Sequence, residues 1–170
     1  LISSVAAIIG SFSFVAVSIW AGVMDLLTMR IRNELVLFLI AAYAVLAPLA
    51  GWTIGEIGAS ATAAAGVLVV AFICFGFGWI GGGDAKLASA IALWLGSEQT
   101  VSFLVWAAMI GGALTVALLQ FRAMMLPAFC LRVPWITRLH HRQAGVPYGV
   151  ALALAALLVF PHTLWIEVLL

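Results

Sequence analysis

Charge is what this sequence has least of. Lys, Arg, Asp and Glu make up 8% of it, against about 25% in a soluble domain. Hydrophobic residues make up 66%, and mean hydropathy is +1.29. That balance excludes an ordinary soluble domain and points to an all-α polytopic membrane protein, with helix packed on helix in lipid. No basic tract is long enough for nucleic acid, so no nucleic-acid partner is expected. Cysteine is equally scarce. Cys74 lies in an apolar segment and Cys130 in a basic loop, at different depths, which argues against a mutual disulfide. The absence of CxxC removes a zinc ribbon, and the absence of HExxH leaves no zinc-hydrolase motif. No metal and no cofactor is expected. The rarest acid is aspartate, present only as Asp25 and Asp84.

What is present is a series of apolar runs. Residues 2–24 carry no charge over a length that crosses a bilayer, too long for the apolar core of a signal peptide. Further spans are expected at 35–54, 57–80, 101–121 and 146–166, with a short apolar segment at 85–96. The charges fix the count. Arg30, Arg32, Lys86, Arg122, Arg132, Arg138 and Arg142 fall in loops on one side, and Glu56, Glu98 and Glu167 on the other. The alternation holds only if the short segment also crosses. The expectation is six transmembrane helices, with basic loops in the cytoplasm and N- and C-termini on the non-cytoplasmic side. The chain reads as a single domain, 1–170. Its long connection, 122–145, mixes Arg132, Arg138, His140, His141 and Arg142 with Phe129, Leu131, Trp135 and Leu139. That pattern is a basic interfacial cytoplasmic loop on anionic lipid, interrupted by Pro127 and Pro134.

Asp25 closes the first span and Asp84 opens the short one, at the same face. A carboxylate at bilayer depth costs roughly 2.5–3.5 kcal/mol on insertion scales, so an intramembrane acid is a functional candidate. Two neighbouring carboxyls do not both ionise easily and share a proton near neutral pH. One can then take a proton from water while the other donates to a carbonyl oxygen. That chemistry hydrolyses a peptide without metal or covalent nucleophile. Helix polarity favours the carboxylate at Asp84, at a helix start, over Asp25, near a helix end, making Asp84 the base and Asp25 the acid.

Other residues support this pair. Gly81, Gly82 and Gly83 permit positive φ and close backbone approach, so an extended substrate could lie against them. Bland roles compete. Asp84 could be a plain N-cap, and Asp25 could pair with Arg30 or Lys86. Asn33 reads as the N-cap of the second helix, with Glu34 in its first turn. Tyr148 reads as an interfacial aromatic anchor, His140 and His141 as headgroup contacts, and the loop arginines mostly as lipid contacts. The alternative function is a transporter or channel in which Asp25 and Asp84 couple protons or cations.

At these residues the chain resembles the prepilin peptidases, GxGD-type aspartic proteases of type IV pilus systems. Asp25 with the trailing Arg30-Ile31-Arg32-Asn33 is similar to the family's first-aspartate motif, with Arg32 in place of a usual proline. Gly81-Gly82-Gly83-Asp84-Ala85-Lys86-Leu87 is similar to GxGDxKL, and Pro147-Tyr148-Gly149 to the start of the family's last helix. The resemblance implies catalytic Asp25 and Asp84, supported by Gly81, Gly82, Gly83, Lys86, Asn33 and Tyr148. It implies an inner-membrane enzyme, its active site facing the cytoplasm, that cuts the short basic leader from a prepilin. The chain looks like the short form of the tight-adherence (Flp) branch. The cysteine-bearing cytoplasmic domain and a site for S-adenosylmethionine are not seen in this sequence, so a peptidase alone is expected.

Overall fold

The computed structural model describes residues 1–127 and 130–169, apart from the side chain of Leu131. Its helices are α1 (Ile2–Thr28), α2 (Asn33–Leu49), α3 (Ile54–Gly76), α4 (Gly82–Ala123), α5 (Pro134–His140), α6 (Tyr148–Val159) and α7 (Leu164–Glu167). Single turns of 3-10 helix occupy Cys130–Arg132 and Phe160–His162. No strand is found among the described residues. α1, α3 and α4 are each long and apolar enough to cross a membrane, while Asn33–Leu49 and Tyr148–His162 are shorter apolar helices.

α4 is not one rod. Gly96 sits inside it at φ 81°, ψ 168°, a region essentially reserved for glycine. A straight helix would separate Asp84 from Ala107 by about 35 Å. Instead both line one cavity, together with Ala88 and Leu104. The chain therefore doubles back at Gly96, and arms 82–95 and 97–123 lie side by side. The arm 82–95 is about 21 Å long. It begins at Gly82, three residues before the apolar run that marked it in the sequence.

Other boundaries moved for local reasons. α1 continues past Met24 to Thr28, which puts Asp25 inside the helix. Thr53 starts α3 by a reciprocal cap: its Oγ1 accepts from the Glu56 N–H at 3.2 Å, and Glu56 Oε2 accepts from the Thr53 N–H at 2.7 Å. The expected last span, 146–166, is α6, a 3-10 turn and α7. Pro161 lies in that turn and lacks the N–H that would continue the helix. α5 begins at Pro134, where a missing N–H is harmless.

The core sits at the end of the bundle where α4 doubles back. Trp94 and Trp165 are fully buried, with ring centroids 4.7 Å apart, and Phe14, Tyr43, Trp52 and Phe160 pack around them. Trp165 Nε1 donates to the Trp94 carbonyl at 3.0 Å. The break at Gly96 leaves the last carbonyls of the first arm without helical partners, and this bond satisfies one. Trp94 Nε1 in turn donates to the Leu39 carbonyl of α2 at 2.9 Å. Glu56, Glu98 and Glu167 line a single pocket at this end.

The basic residues gather at the opposite end, where three of them staple the backbone. Arg138 Nη1 donates to the Leu27 carbonyl at 2.6 Å. Arg122 donates to the Leu139 and Gly145 carbonyls, each at 2.8 Å. His140 Nε2 lies 2.9 Å from the Met124 carbonyl. These contacts tie the connection 122–145 to α1 and α4. Arg132 and Arg142 are exposed. Phe129 and the side chain of Leu131 lie outside the described residues.

Candidate active site

Asp25 lies in the last turn of α1 and is only 5% exposed. α1 ends at Met29, whose φ of 55° is left-handed and whose N–H donates to the Asp25 carbonyl at 2.8 Å. Glycine usually holds that position, because a side chain there is strained by about 1–2 kcal/mol. The sharp exit sends Ile31 back into the bundle beside Asp25.

The Asp25 carboxylate does not meet Arg30 or Lys86. Among the described residues the ion pair is Arg32 with Glu34, on the surface. Asp25 Oδ2 instead accepts from the Gly149 N–H at 2.7 Å. Gly149 is in the first turn of α6, and its N-cap position is Pro147, which has no side-chain acceptor. Asp25 caps α6 from another helix, where free N–H groups and the helix dipole favour negative charge. Gly149 is glycine because of this approach. A Cβ built there would lie 2.8 Å from Asp25 Oδ2 and 2.9 Å from both Asp25 Cβ and Ile31 Cδ1.

Asp84 occupies the first turn of α4, and its Oδ2 accepts from the Gly81 N–H at 3.3 Å. The three glycines do not supply positive φ as expected. That conformation appears at Gly51, Gly78 and Gly96. Gly82 and Gly83 are helical, and Gly81 is the extended residue just before them. What they provide is clearance. A Cβ at Gly81 would lie 2.8 Å from Asp84 Oδ2, at Gly82 3.3 Å from the Phe75 ring, and at Gly83 3.2 Å from Ile31 Cβ. Ile31 therefore touches the start of α4 beside Asp84 and the start of α6 beside Asp25, and it spaces the two.

The two carboxylates share no hydrogen bond, and each is held by a different glycine N–H. Because both sit at helix starts, helix polarity favours the carboxylate at each, and the assignment of Asp84 as base and Asp25 as acid loses its basis.

The supporting residues divide. Asn33 is not the N-cap of α2; Arg32 holds that position, and no side chain caps the helix. Asn33 Oδ1 accepts from Lys86 Nζ at 3.2 Å, linking α2 to α4 at the exposed rim. Tyr148 is not an exposed anchor. Its hydroxyl donates to the Ala107 carbonyl at 3.1 Å, its ring lies over Gly111, and it lines the cavity with Asp84. A Cβ at Gly111 would come within 2.3 Å of the Tyr148 ring. Sequence reasoning missed Ile31, Gly149 and Gly111. The glycine of Pro147-Tyr148-Gly149 carried the signal for one of them. Ile31 stands in the motif Arg30-Ile31-Arg32-Asn33, while nothing local marks Gly111, and the roles of both depend on distant helices. Among the described residues no group of three or more His, Cys, Asp or Glu side chains is placed to hold a metal.

The family model described as the type IV leader peptidase family matches residues 12–116, a stretch that includes both aspartates. The chain belongs to that family. No curated protein and no solved structure gives a match. Membership makes the chain a leader-peptidase-type protease, with a prepilin as the family's kind of substrate and a membrane as its setting. This leader peptidase carries its two aspartates on separate helices, α1 and α4, at the basic end of the bundle, with Ile31 against the helix starts beside both. Tyr148 and Gly149 lie beyond the matched residues, and only the folded chain connects them to Asp84 and Asp25.

Proposed function

We propose that this leader peptidase is a GxGD-type aspartic endopeptidase, and that Asp25 and Asp84 remove the short basic leader of a type IV (Flp-type) prepilin at the cytoplasmic face of the inner membrane. The observation that carries this reading is the placement of the two aspartates. They come from α1 and α4, have no cationic partner among the described residues, and each rests on a glycine N–H at the end of the bundle where the basic residues gather. A structural acid at this depth would be expected to carry a counter-ion.

In the reaction, one ionised carboxyl takes a proton from water as the water oxygen attacks the scissile carbonyl carbon. The protonated partner donates to the carbonyl oxygen, giving a neutral tetrahedral diol. The ionised carboxyl then takes a hydroxyl proton from the diol, the C–N bond breaks, and the leaving nitrogen takes the proton of the other carboxyl, which leaves the pair with the one proton it began with. The pair titrates as a unit. Because each carboxylate rests on its own glycine N–H, docking of substrate would bring the pair into working contact. In this reading α1, α2, α3, both arms of α4 and the segment from α6 to α7 cross the bilayer, with both termini on the non-cytoplasmic side. Arg132 and Arg142 face anionic lipid from the connection 122–145.

The test is co-expression with a candidate prepilin, comparing wild type with Asp25→Asn and Asp84→Asn by gel shift. Each variant is expected to accumulate in the membrane and to lose leader removal by about 10²-fold or more. Processing at the wild-type rate by either variant overturns the proposal. Acid-dependent ion flux without processing would favour a transporter.

A further inference from the structure

The two arginines that staple the connection 122–145 act on either side of one contact in the site. Arg138 Nη1 donates to the Leu27 carbonyl at 2.6 Å, two residues past Asp25 on α1. Arg122 donates from Nε to the Leu139 carbonyl and from Nη2 to the Gly145 carbonyl, each at 2.8 Å. Gly145 stands four residues before Gly149, whose N–H donates to Asp25 Oδ2 at 2.7 Å.

Arg138 and Leu139 are neighbours in α5, so these contacts close a ring. It runs from Asp25 along α1 to Leu27, through Arg138 into α5, and from Leu139 to Arg122. From there it passes to Gly145 and along the chain to Gly149, which returns it to Asp25. Each noncovalent link sets a guanidinium or a carboxylate on a backbone group, the stronger class of hydrogen bond.

The elements in the ring have little else to fix them there. No side chain of its own N-cap residue, Pro147, holds the start of α6. The Leu27 carbonyl is among the last of α1, which lack helical partners, and a cation at a helix end is favoured by the dipole. α5 has seven residues, too few to be stable alone. Buried Leu139, His140 on the Met124 carbonyl and the two arginines hold it against the bundle.

We infer that Arg122 and Arg138 are positioning residues for Asp25: through α5 they set how closely the start of α6 approaches the end of α1, and so where the Asp25 carboxylate sits. The inference rests on the peptidase reading above. The two arginines differ in how they bind. Arg138 uses one nitrogen, which a lysine ammonium can replace. Arg122 spans two carbonyls with nitrogens fixed in one plane, which lysine cannot reproduce.

The experiment measures prepilin cleavage by the full chain in neutral detergent. Arg138→Met and Arg122→Lys are each expected to lower kcat about 10-fold or more, with KM within about twofold, because the reacting carboxylate is displaced and binding is not. Arg138→Lys should recover most of the loss. Gln143→Met, which changes an exposed side chain in the same connection, should stay within about twofold. Arg138→Met added to Gly149→Ala should lower kcat by less than a further twofold or so, because both act through the same contact. Losses that multiply in the double variant, or a raised KM with kcat kept, overturn the inference. So does a loss seen only in phosphatidylglycerol vesicles and not in detergent, which assigns the arginines to lipid. If Arg138→Met does not accumulate, the two lysine variants decide, and equal activity of Arg138→Lys and Arg122→Lys overturns the inference. Full cleavage by Asp25→Asn fells the peptidase reading itself. Loss of cleavage by Asp25→Asn with wild-type kcat for Arg138→Met and Arg122→Lys fells only the positioning assignment.

Discussion

Replacing Gly149 by alanine puts a methyl group where Asp25 and Ile31 already lie. The new carbon would sit 2.8 Å from Asp25 Oδ2 and 2.9 Å from Asp25 Cβ and Ile31 Cδ1. Asp25 Oδ2 and Ile31 Cδ1 are side-chain ends, but Asp25 Cβ is fixed to the backbone of α1 and cannot swing aside. Asp25 is 5% exposed, and its carboxylate is bound to the very residue being changed. Either α6 moves away from α1 or the carboxylate leaves the Gly149 N–H. The packing strain is about 1–3 kcal/mol. A displacement approaching 1 Å at a catalytic group costs on the order of 10²-fold in rate. Gly149→Ala should therefore cut prepilin cleavage about 100-fold while lowering thermal stability only modestly, both read on purified enzyme in detergent. Gly112→Ala is the control, because a Cβ there meets nothing within 4 Å. Cleavage by Gly149→Ala at more than half the wild-type rate would refute the idea that Gly149 positions Asp25.

Three further outcomes follow from the same geometry. Gly96→Ala forces a side chain into φ 81°, ψ 168°, so it should destabilise the fold by about 1–3 kcal/mol in thermal unfolding; an unchanged melting temperature would mean the reversal does not depend on glycine. Trp165→Phe removes the donor to the buried Trp94 carbonyl, at about 1–3 kcal/mol for the unsatisfied acceptor plus some lost packing, with cleavage retained at permissive temperature. Gly111→Ala drives a methyl group into the Tyr148 ring. It should raise KM for prepilin more than it lowers kcat, and loss of kcat alone would place Tyr148 in the chemistry instead.

Composition and charge order determined what could be read locally. Apolar runs must become helices in lipid because no water is there to satisfy the backbone, so an all-helical membrane protein was legible before any contact was known. Asp25 and Asp84 stood out because acids are scarce in such a chain. The tertiary structure decided what depends on residues far apart in sequence. Only the fold puts the Asp25 carboxylate on the Gly149 N–H, 124 residues away, and so places both acids at helix starts. Only the fold turns Gly82 and Gly83 from a loop into clearance for Phe75 and Ile31, sends Asn33 to Lys86 instead of to its own helix, and brings Tyr148 over Gly111. Steric clearance and remote capping are relations between helices, and a single chain of letters records neither. Sequence showed that two aspartates needed a purpose, and packing set what each one touches.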